Sequence, residues 1–190
     1  MPTLYHSPQS RSDTIVTLVK MLNADIDIRE VTITRQDGSG APDPENPHPE
    51  KKVPYLVDGA EEVRERGAIV AYLTDAYPAM KLGPLPGETG RGAYLSWLSY
   101  YQGIMEPLLI LHWTGLDHPA ITASLRDLDT MAATLAKPLG SGPWLLGDRF
   151  SAADMLCSSP FAWFPDLLSD HATIQDWVKR CGEQTSGAKS

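Results

Sequence analysis

Residues 4–12 read Leu4-Tyr5-His6-Ser7-Pro8-Gln9-Ser10-Arg11-Ser12. The centre of that stretch, Ser7-Pro8-Gln9-Ser10, has the spacing of a redox Cys-x-x-Cys motif with serine at both ends. Its flanks say what surrounds it. Thr3-Leu4-Tyr5-His6 is a short strand candidate that stops at the Pro8 turn. Downstream, Ile15, Val16, Leu18, Val19 and Leu22 recur at helical spacing, which predicts a helix to about Leu22 with Ser10 or Ser12 as its cap. The chain therefore keeps the shape of a redox loop and discards the sulfur.

Working outward, Ile26 to Thr34 alternates through Ile26, Ile28, Val31 and Ile33 and reads as a second strand. Residues 36–50 are polar and rich in Gly and Pro, which predicts a loop with at most one turn of helix. Lys52 to Gly59 reads as a strand ending in an Asp-Gly turn, with Glu62 to Glu65 as its hairpin partner. From Gly67 the apolar spacing is helical up to Pro78. The order βαβ, then ββα, within residues 1–77 predicts a compact α/β unit.

Residues 78–87 form a Pro- and Gly-rich linker, and residues 88–190 read as all-helical. Ala93 to Leu111 is one long candidate helix in which Pro107 predicts a kink. Ile121 to Leu135 repeats at helical spacing, Phe150 to Met155 opens another helix, and Ile174 to Cys181 is the last. The tail 182–190 reads as frayed.

Composition narrows the function classes. Of 190 residues, 42% are hydrophobic, enough for a core. A formal net charge of -8 and a pI of about 5.0 disfavour general nucleic-acid binding, because an acidic surface repels phosphate. Cys157 and Cys181 are too few and too far apart for a disulfide framework or a zinc site, and suit two reduced thiols in a cytoplasmic protein. The opening Met1-Pro2-Thr3-Leu4 predicts no signal peptide, and the apolar runs are too short for a membrane span.

Three further motifs carry candidate chemistry. Val53-Pro54 opens a strand; a cis bond there would present the Val53 N–H and C=O as an open strand edge, against the alternative of an ordinary edge proline. Glu65-Arg66-Gly67 joins a strand to a helix start, where backbone N–H groups and an arginine suit a carboxylate or phosphate, or form a solvated charged turn. Ser151 and Asp154 have the spacing of a capping box, with Phe150 and Met155 as its staple, a structural motif. The five histidines show no metal spacing, and His112 and His118 are expected at the surface. Trp97, Tyr100, Tyr101, Met105, Trp113, Trp163 and Phe164 suit a helical core, with a few available to line an apolar pocket.

In order and spacing, LYHSPQSRS, HPEKKVPYLVDG, ERGAIVAYLTDAYP and WLLGDRFSAADM resemble the cytosolic glutathione transferases over nearly the whole chain, and most of all the bacterial branch. The resemblance implies an α/β thioredoxin-like N-terminal domain plus an all-α helical C-terminal domain. It implies that Val53-Pro54 is cis and that the Val53 backbone pairs with the cysteinyl part of glutathione. It places the γ-glutamyl end at Glu65-Arg66 and the glycyl carboxylate within reach of Lys52, with His48-Pro49 upstream. It also implies a homodimer, reduced glutathione as cosubstrate and no metal.

The resemblance further gives the missing sulfur a reason. The nucleophile belongs to bound glutathione, and the protein needs only a donor that stabilises the thiolate. A thiol with a pKa of about 8.5 is little ionised at neutral pH, and a hydroxyl plus a helix N-terminus lower that value. Ser10 is the first candidate, with Ser7 and Ser12 as alternatives, Arg11 adding positive potential, and Tyr5 a strand residue rather than the acid. Arg66 stands where the family usually has serine, and either clamps the γ-glutamyl carboxylate as a charged fork or blocks it. Tyr101, Met105 and Trp113 are candidates for the pocket of a hydrophobic electrophile. The expected activity is conjugation of glutathione to that electrophile. The alternatives are a glutathione-binding or peroxidase-like protein with little transferase activity, and a non-catalytic partner-binding module.

Overall fold

The structure is a computed structural model that describes residues 1–188. The chain separates into two compact units, Met1–Met80 and the residues from Lys81 onward. In the first unit a four-stranded sheet has the order β2-β1-β3-β4, with β1 Thr3–His6, β2 Asp27–Glu30, β3 Tyr55–Asp58 and β4 Glu61–Arg64. β1 and β2 run parallel, Leu4 opposite Ile28, and are joined by helix α1, Asp13–Met21. β3 lies antiparallel to both β1 and β4, Leu4 opposite Leu56 and Tyr55 opposite Arg64. Helix α2, Arg66–Ala76, follows β4 directly. This mixed sheet is the thioredoxin-like arrangement.

The apolar stripe of α1 explains its seating. Ile15, Leu18, Val19 and Leu22 are buried together with Leu4, Leu56, Ile69, Val70 and Leu73. Fully burying one such side chain contributes roughly 1.5–3 kcal/mol before entropy is counted. β2 is shorter than its alternation suggested, because pairing with β1 stops at Glu30 and the chain from Thr32 is instead held by side chains. Residues 36–50 contain no helix. They are nonetheless ordered around two buried polar residues, Asn46 and His48. Asn46 donates to the Lys52 carbonyl at 3.1 Å and accepts from His48 N–H at 3.0 Å, and His48 Nδ1 accepts from Glu50 N–H at 2.9 Å.

The second unit is helical: α3 Arg91–Tyr100, α4 Glu106–Thr114, α5 Pro119–Leu125, α6 Leu128–Leu139, α7 Ala152–Ser158 and α8 Ala172–Ser186. Residues within the proline-rich stretch are tied to it. Ala152 N–H donates to the Leu82 carbonyl at 2.7 Å, and Arg91 Nη1 donates to the Pro84 carbonyl at 2.9 Å. Pro107 does not simply kink one long helix. Tyr101–Met105 between α3 and α4 is a π-helical segment, and Glu106 N–H reaches back five residues to Tyr101 O. Proline lacks the N–H that would serve the Gly103 carbonyl, and local rewinding is one way to absorb that loss.

The single helix expected over Ile121 to Leu135 is two. Arg126 takes a left-handed φ of 70°, and the Asp127 carboxylate accepts from Thr130 N–H at 2.7 Å to start α6. A strong local cap overrides apolar periodicity here. The last helix runs further than expected, to Ser186, so most of the expected frayed tail is helical. Its final residues, Lys189 and Ser190, lie outside the described residues. No helix among the described residues is long and apolar enough to cross a membrane.

Candidate active site

The loop between β1 and α1 concentrates the polar side chains of the first unit. Ser12 occupies the cap position of α1, yet its hydroxyl does not cap the helix. It turns inward, accepts from Ser7 N–H at 3.1 Å, and lies 2.8 Å from His6 Nδ1 and 2.7 Å from Ser10 Oγ. Ser10 Oγ donates to the Ser7 carbonyl at 2.7 Å and accepts from Ser12 N–H at 3.1 Å. Ser12 Oγ is a second donor to that carbonyl at 3.1 Å. The Ser10 N–H reaches the Asp13 carboxylate at 3.3 Å. The hydroxyl caps expected of Ser10 or Ser12 are thus spent on the loop itself, whose buried backbone groups need partners more than the first turn does.

Burial separates the three serines. Ser7 and Ser12 are buried, whereas Ser10 is half-buried. Gln9 beside it sits at φ 56°, which turns the loop back toward the helix start. Arg11 is exposed on the same loop. His6 has 12% of its side chain exposed; burial holds its imidazole below the ordinary value of 6.5, opposed by the carboxylates of Asp13 and Glu30. Tyr5 is half-buried on β1 with the Arg29 guanidinium 5.8 Å from its ring centre, as a strand residue.

Arg35, which sequence reasoning missed, clamps this loop from β2's side. It donates to the Gln9 carbonyl at 3.0 Å and the Pro8 carbonyl at 2.9 Å, and Nη2 lies 3.4 Å from Ser7 Oγ. A turn holds the arginine in place: its N–H donates to Ser39 O at 2.8 Å and its carbonyl accepts from Gly38 N–H at 3.0 Å. Gly40, at φ 75°, passes so close to the Ile33 carbonyl that a Cβ would sit 2.1 Å from the oxygen. No periodicity or motif flags such an arginine, because its partners lie 26 to 28 residues away.

The remaining residues fall as follows. The Val53-Pro54 bond is cis, and Val53 lies outside the β3–β4 ladder, which begins at Tyr55. Lys52 is 72% exposed at its side chain and pairs with Glu50 at 2.6 Å, a surface pair of little energetic weight. It is Lys51 that ties the loop, donating to the Asn46 carbonyl at 2.6 Å. Glu65 is exposed and sits at φ 68°, directly before α2. Arg66, the first residue of α2, is only 5% exposed, so its guanidinium is held within the protein rather than standing in solvent.

In the second unit Tyr101 and Met105 are buried on the π-helical segment, and Trp113 is 56% exposed near the end of α4. The structure therefore places Tyr101 and Met105 in the interior and Trp113 on the surface. Ser151 and Asp154 form the capping box of α7. The Asp154 carboxylate also accepts from Leu145 N–H at 2.8 Å and Trp177 Nε1 at 3.0 Å. Burial pushes its pKa up, and these donors oppose that push. Cys157 and Cys181 are both buried and outside any disulfide, and burial pushes Cys181 up to about 12, which makes it a poor nucleophile. Pockets of about 510 Å³ and 550 Å³ lie elsewhere, one along Trp163 to His171 and one between Leu22 and Met80, and neither includes the serine loop.

Comparison with known proteins agrees with this geometry. The family described as glutathione S-transferase, N-terminal domain, matches residues 4–84. A curated relative, glutathione S-transferase F14 of Arabidopsis thaliana, is 24% identical over 152 residues, covering 70% of this chain and 60% of the relative's length. Among solved structures, a glutathione transferase of Methylococcus capsulatus is 26% identical with a TM-score of 0.77, covering 100% of this chain and 97% of that one. A glutathione S-transferase of Actinobacillus pleuropneumoniae has a TM-score of 0.78 at 23% identity, covering 99% and 91%. A sphingomonad glutathione S-transferase, whose structure is complexed with glutathione, has a TM-score of 0.77 at 22% identity, covering 98% and 96%. With a thioredoxin-like sheet, a serine loop at the start of α1 and a cis Val53-Pro54, residues 4–84 match the glutathione S-transferase N-terminal domain family, and the chain shares the fold of the glutathione transferase structures.

Proposed function

We propose that the protein binds reduced glutathione in its first unit and transfers the thiolate to a hydrophobic electrophile, with the Ser10 hydroxyl stabilising the thiolate. The observation that carries this reading is Ser10 at the start of α1, the one of the three serines that is half-buried rather than buried. Rotation about one C–O bond redirects its proton from Ser7 O to a ligand sulfur. The carbonyl then keeps a donor in Ser12 Oγ, so the switch orphans no buried group.

Around the serine, the chain supplies orientation. The N-terminus of α1 and the nearby Arg35 favour negative charge at the loop. The Val53 backbone is the edge against which the cysteinyl part of the tripeptide would pair, with Glu65 and Arg66 toward its γ-glutamyl end and Lys52 toward its glycyl end. Arg66, being buried, would meet a carboxylate only where its guanidinium reaches the surface of α2's first turn. Because the nucleophile arrives with the ligand, no reactive protein thiol is required. A homodimer and a pocket using Trp113 are part of the same reading.

The test is calorimetric titration of wild type and Arg66→Ser with reduced glutathione, followed by turnover with an aryl halide and with a hydroperoxide. Binding with aryl halide turnover supports the transferase. Binding with hydroperoxide turnover alone makes it a peroxidase-like relative. No heat at millimolar glutathione refutes the reading and leaves a partner-binding module. Loss of affinity in Arg66→Ser assigns the γ-glutamyl clamp to Arg66; unchanged or tighter binding assigns that end elsewhere.

A further inference from the structure

His6, Ser12 and Ser10 form a continuous line, from a half-buried imidazole through the buried Ser12 to the half-buried Ser10. His6 Nδ1 lies 2.8 Å from Ser12 Oγ, and Ser12 Oγ lies 2.7 Å from Ser10 Oγ. At the far side of the ring, His6 Nε2 is 3.9 Å from one oxygen of the Asp13 carboxylate. The other oxygen of the same carboxylate accepts from Ser10 N–H at 3.3 Å, so Asp13 holds both ends of the line. Stabilising a thiolate does not say where the thiol's proton goes, and this line gives it a destination.

We propose that His6 receives the proton of the bound thiol through Ser10 and Ser12, so that the protein rather than the solvent retains it; this rests on the glutathione reading above. Three protons move one place each. The S–H proton passes to Ser10 Oγ, the Ser10 proton passes to Ser12 Oγ, and the Ser12 proton passes to His6 Nδ1. The sulfur keeps its electron pair as thiolate, both serines end neutral, and His6 ends as imidazolium. No oxidant or co-reactant is needed.

Hydrogen-bond accounting permits both end states. Before transfer, with the His6 proton on Nε2, Ser12 donates to His6 Nδ1 and accepts from Ser7 N–H. Ser10 then donates to Ser12 or to Ser7 O. After transfer, Ser12 accepts from Ser7 N–H and from the imidazolium, and donates to Ser7 O at 3.1 Å. Ser10 is left with its proton on the thiolate. After transfer no donor or acceptor of the line is stranded; before it, Ser10 serves the Ser7 carbonyl at rest and gives that bond up only as it turns to Ser12 for the transfer.

Electrostatics fits as well. Burial holds the His6 imidazole below its ordinary value of 6.5, which favours the neutral ring that can act as an acceptor. The charged groups that face it are Asp13 on α1 and Glu30 on β2, and both favour the imidazolium. In water, transfer from a thiol near 8.5 to an imidazole near 6.5 is uphill by about 100-fold. A thiolate and an imidazolium formed together leave the net charge of the site unchanged. The Asp13 carboxylate beside one and the Ser10 hydroxyl beside the other oppose that ratio. His6 acts through the two serines and is a positioning residue.

The experiment titrates the full chain and His6→Asn with glutathione at pH 7. It reads the thiolate ultraviolet band, the protons released to two buffers of different ionisation enthalpy, and the His6 ring signals by NMR. For wild type the expected result is a thiolate band, close to no net proton release, and His6 signals moving to the imidazolium position. His6→Asn is expected either to release one proton per thiolate or to lose the band at least tenfold. Its acid limb of kcat/KM is expected at higher pH by about one unit. A wild type that forms thiolate while releasing one proton, or whose His6 stays neutral, overturns the relay alone. So does a folded His6→Asn that matches wild type in band and proton count. Should His6→Asn not fold, the wild-type proton count and ring signals decide. No binding heat in wild type overturns the glutathione reading, and the relay falls with it.

Discussion

Two places in this chain pair a serine with an aspartate three residues on at the start of a helix: Ser10 with Asp13, and Ser151 with Asp154. The structure treats them oppositely. Ser151 N–H and Oγ reach the Asp154 carboxylate at 3.0 and 2.7 Å, and the carboxylate is wholly buried with further donors from Leu145 and Trp177. Ser10 N–H reaches Asp13 only at 3.3 Å, and that carboxylate is 45% exposed. The second pair has every group committed. The first leaves hydroxyl protons with more than one acceptor, on a loop that a ligand can reach. Spacing alone distinguishes neither; burial and the number of alternative partners do.

The contrast breaks most visibly at Asp154. Asp154→Ala strands the N–H groups of Leu145, Ser151 and Trp177 in the interior, each costing about 1–3 kcal/mol. Against a total stability of about 5–15 kcal/mol, we expect loss of a cooperative thermal transition or a large drop in its midpoint. An unchanged midpoint would make the buried carboxylate dispensable.

Ser10→Ala tests the other side. It removes a half-buried hydroxyl and with it the acceptor of one N–H, that of Ser12, so stability should fall by about 1–3 kcal/mol, less than the loss of three such acceptors at Asp154. Turnover should fall by roughly 10²–10³, the scale for one donor to a developing or resident anion. A stability loss comparable to that of Asp154→Ala would make the serine loop a second structural knot rather than a site.

Arg35→Gln sharpens the comparison. It weakens the clamp on Pro8 and Gln9, with an expected cost of about 1 kcal/mol and a several-fold weaker glutathione affinity, measured by unfolding and calorimetry. The smallest effect is pH dependence. Burial holds His6 and His48 below 6.5, so the unfolded chain binds more protons than the folded one. Stability should be full above about 6.5 and decline as pH falls through that value toward the folded pKa values; unfolding scans across that window check the sign.

Much of the first unit was legible because its signals are local. The α1 stripe, the Asp58-Gly59 turn and the Pro78 stop each fix an element within a few residues. The capping box at Ser151 was legible for the same reason, since its partners lie three residues apart. The break at Arg126-Asp127 was not, because apolar positions on both sides kept a common period while a single aspartate cap reset the helix. The π-helical segment before Pro107 was read as a kink, since sequence shows the missing N–H but not how the backbone absorbs it. At the site, the serines, Val53-Pro54 and Glu65-Arg66 stood out by motif. Arg35 and the inward turn of Ser12 toward His6 did not, because both depend on contacts made only once β1, α1 and the loop after β2 are assembled.

The most direct test of the central claim is the ultraviolet thiolate band of glutathione bound to wild type, Ser10→Ala and Ser7→Ala at neutral pH. Wild type and Ser7→Ala should show the band, and Ser10→Ala should bind glutathione with the band reduced at least tenfold. A full band in Ser10→Ala, or its loss in Ser7→Ala alone, would contradict the assignment of the thiolate to Ser10.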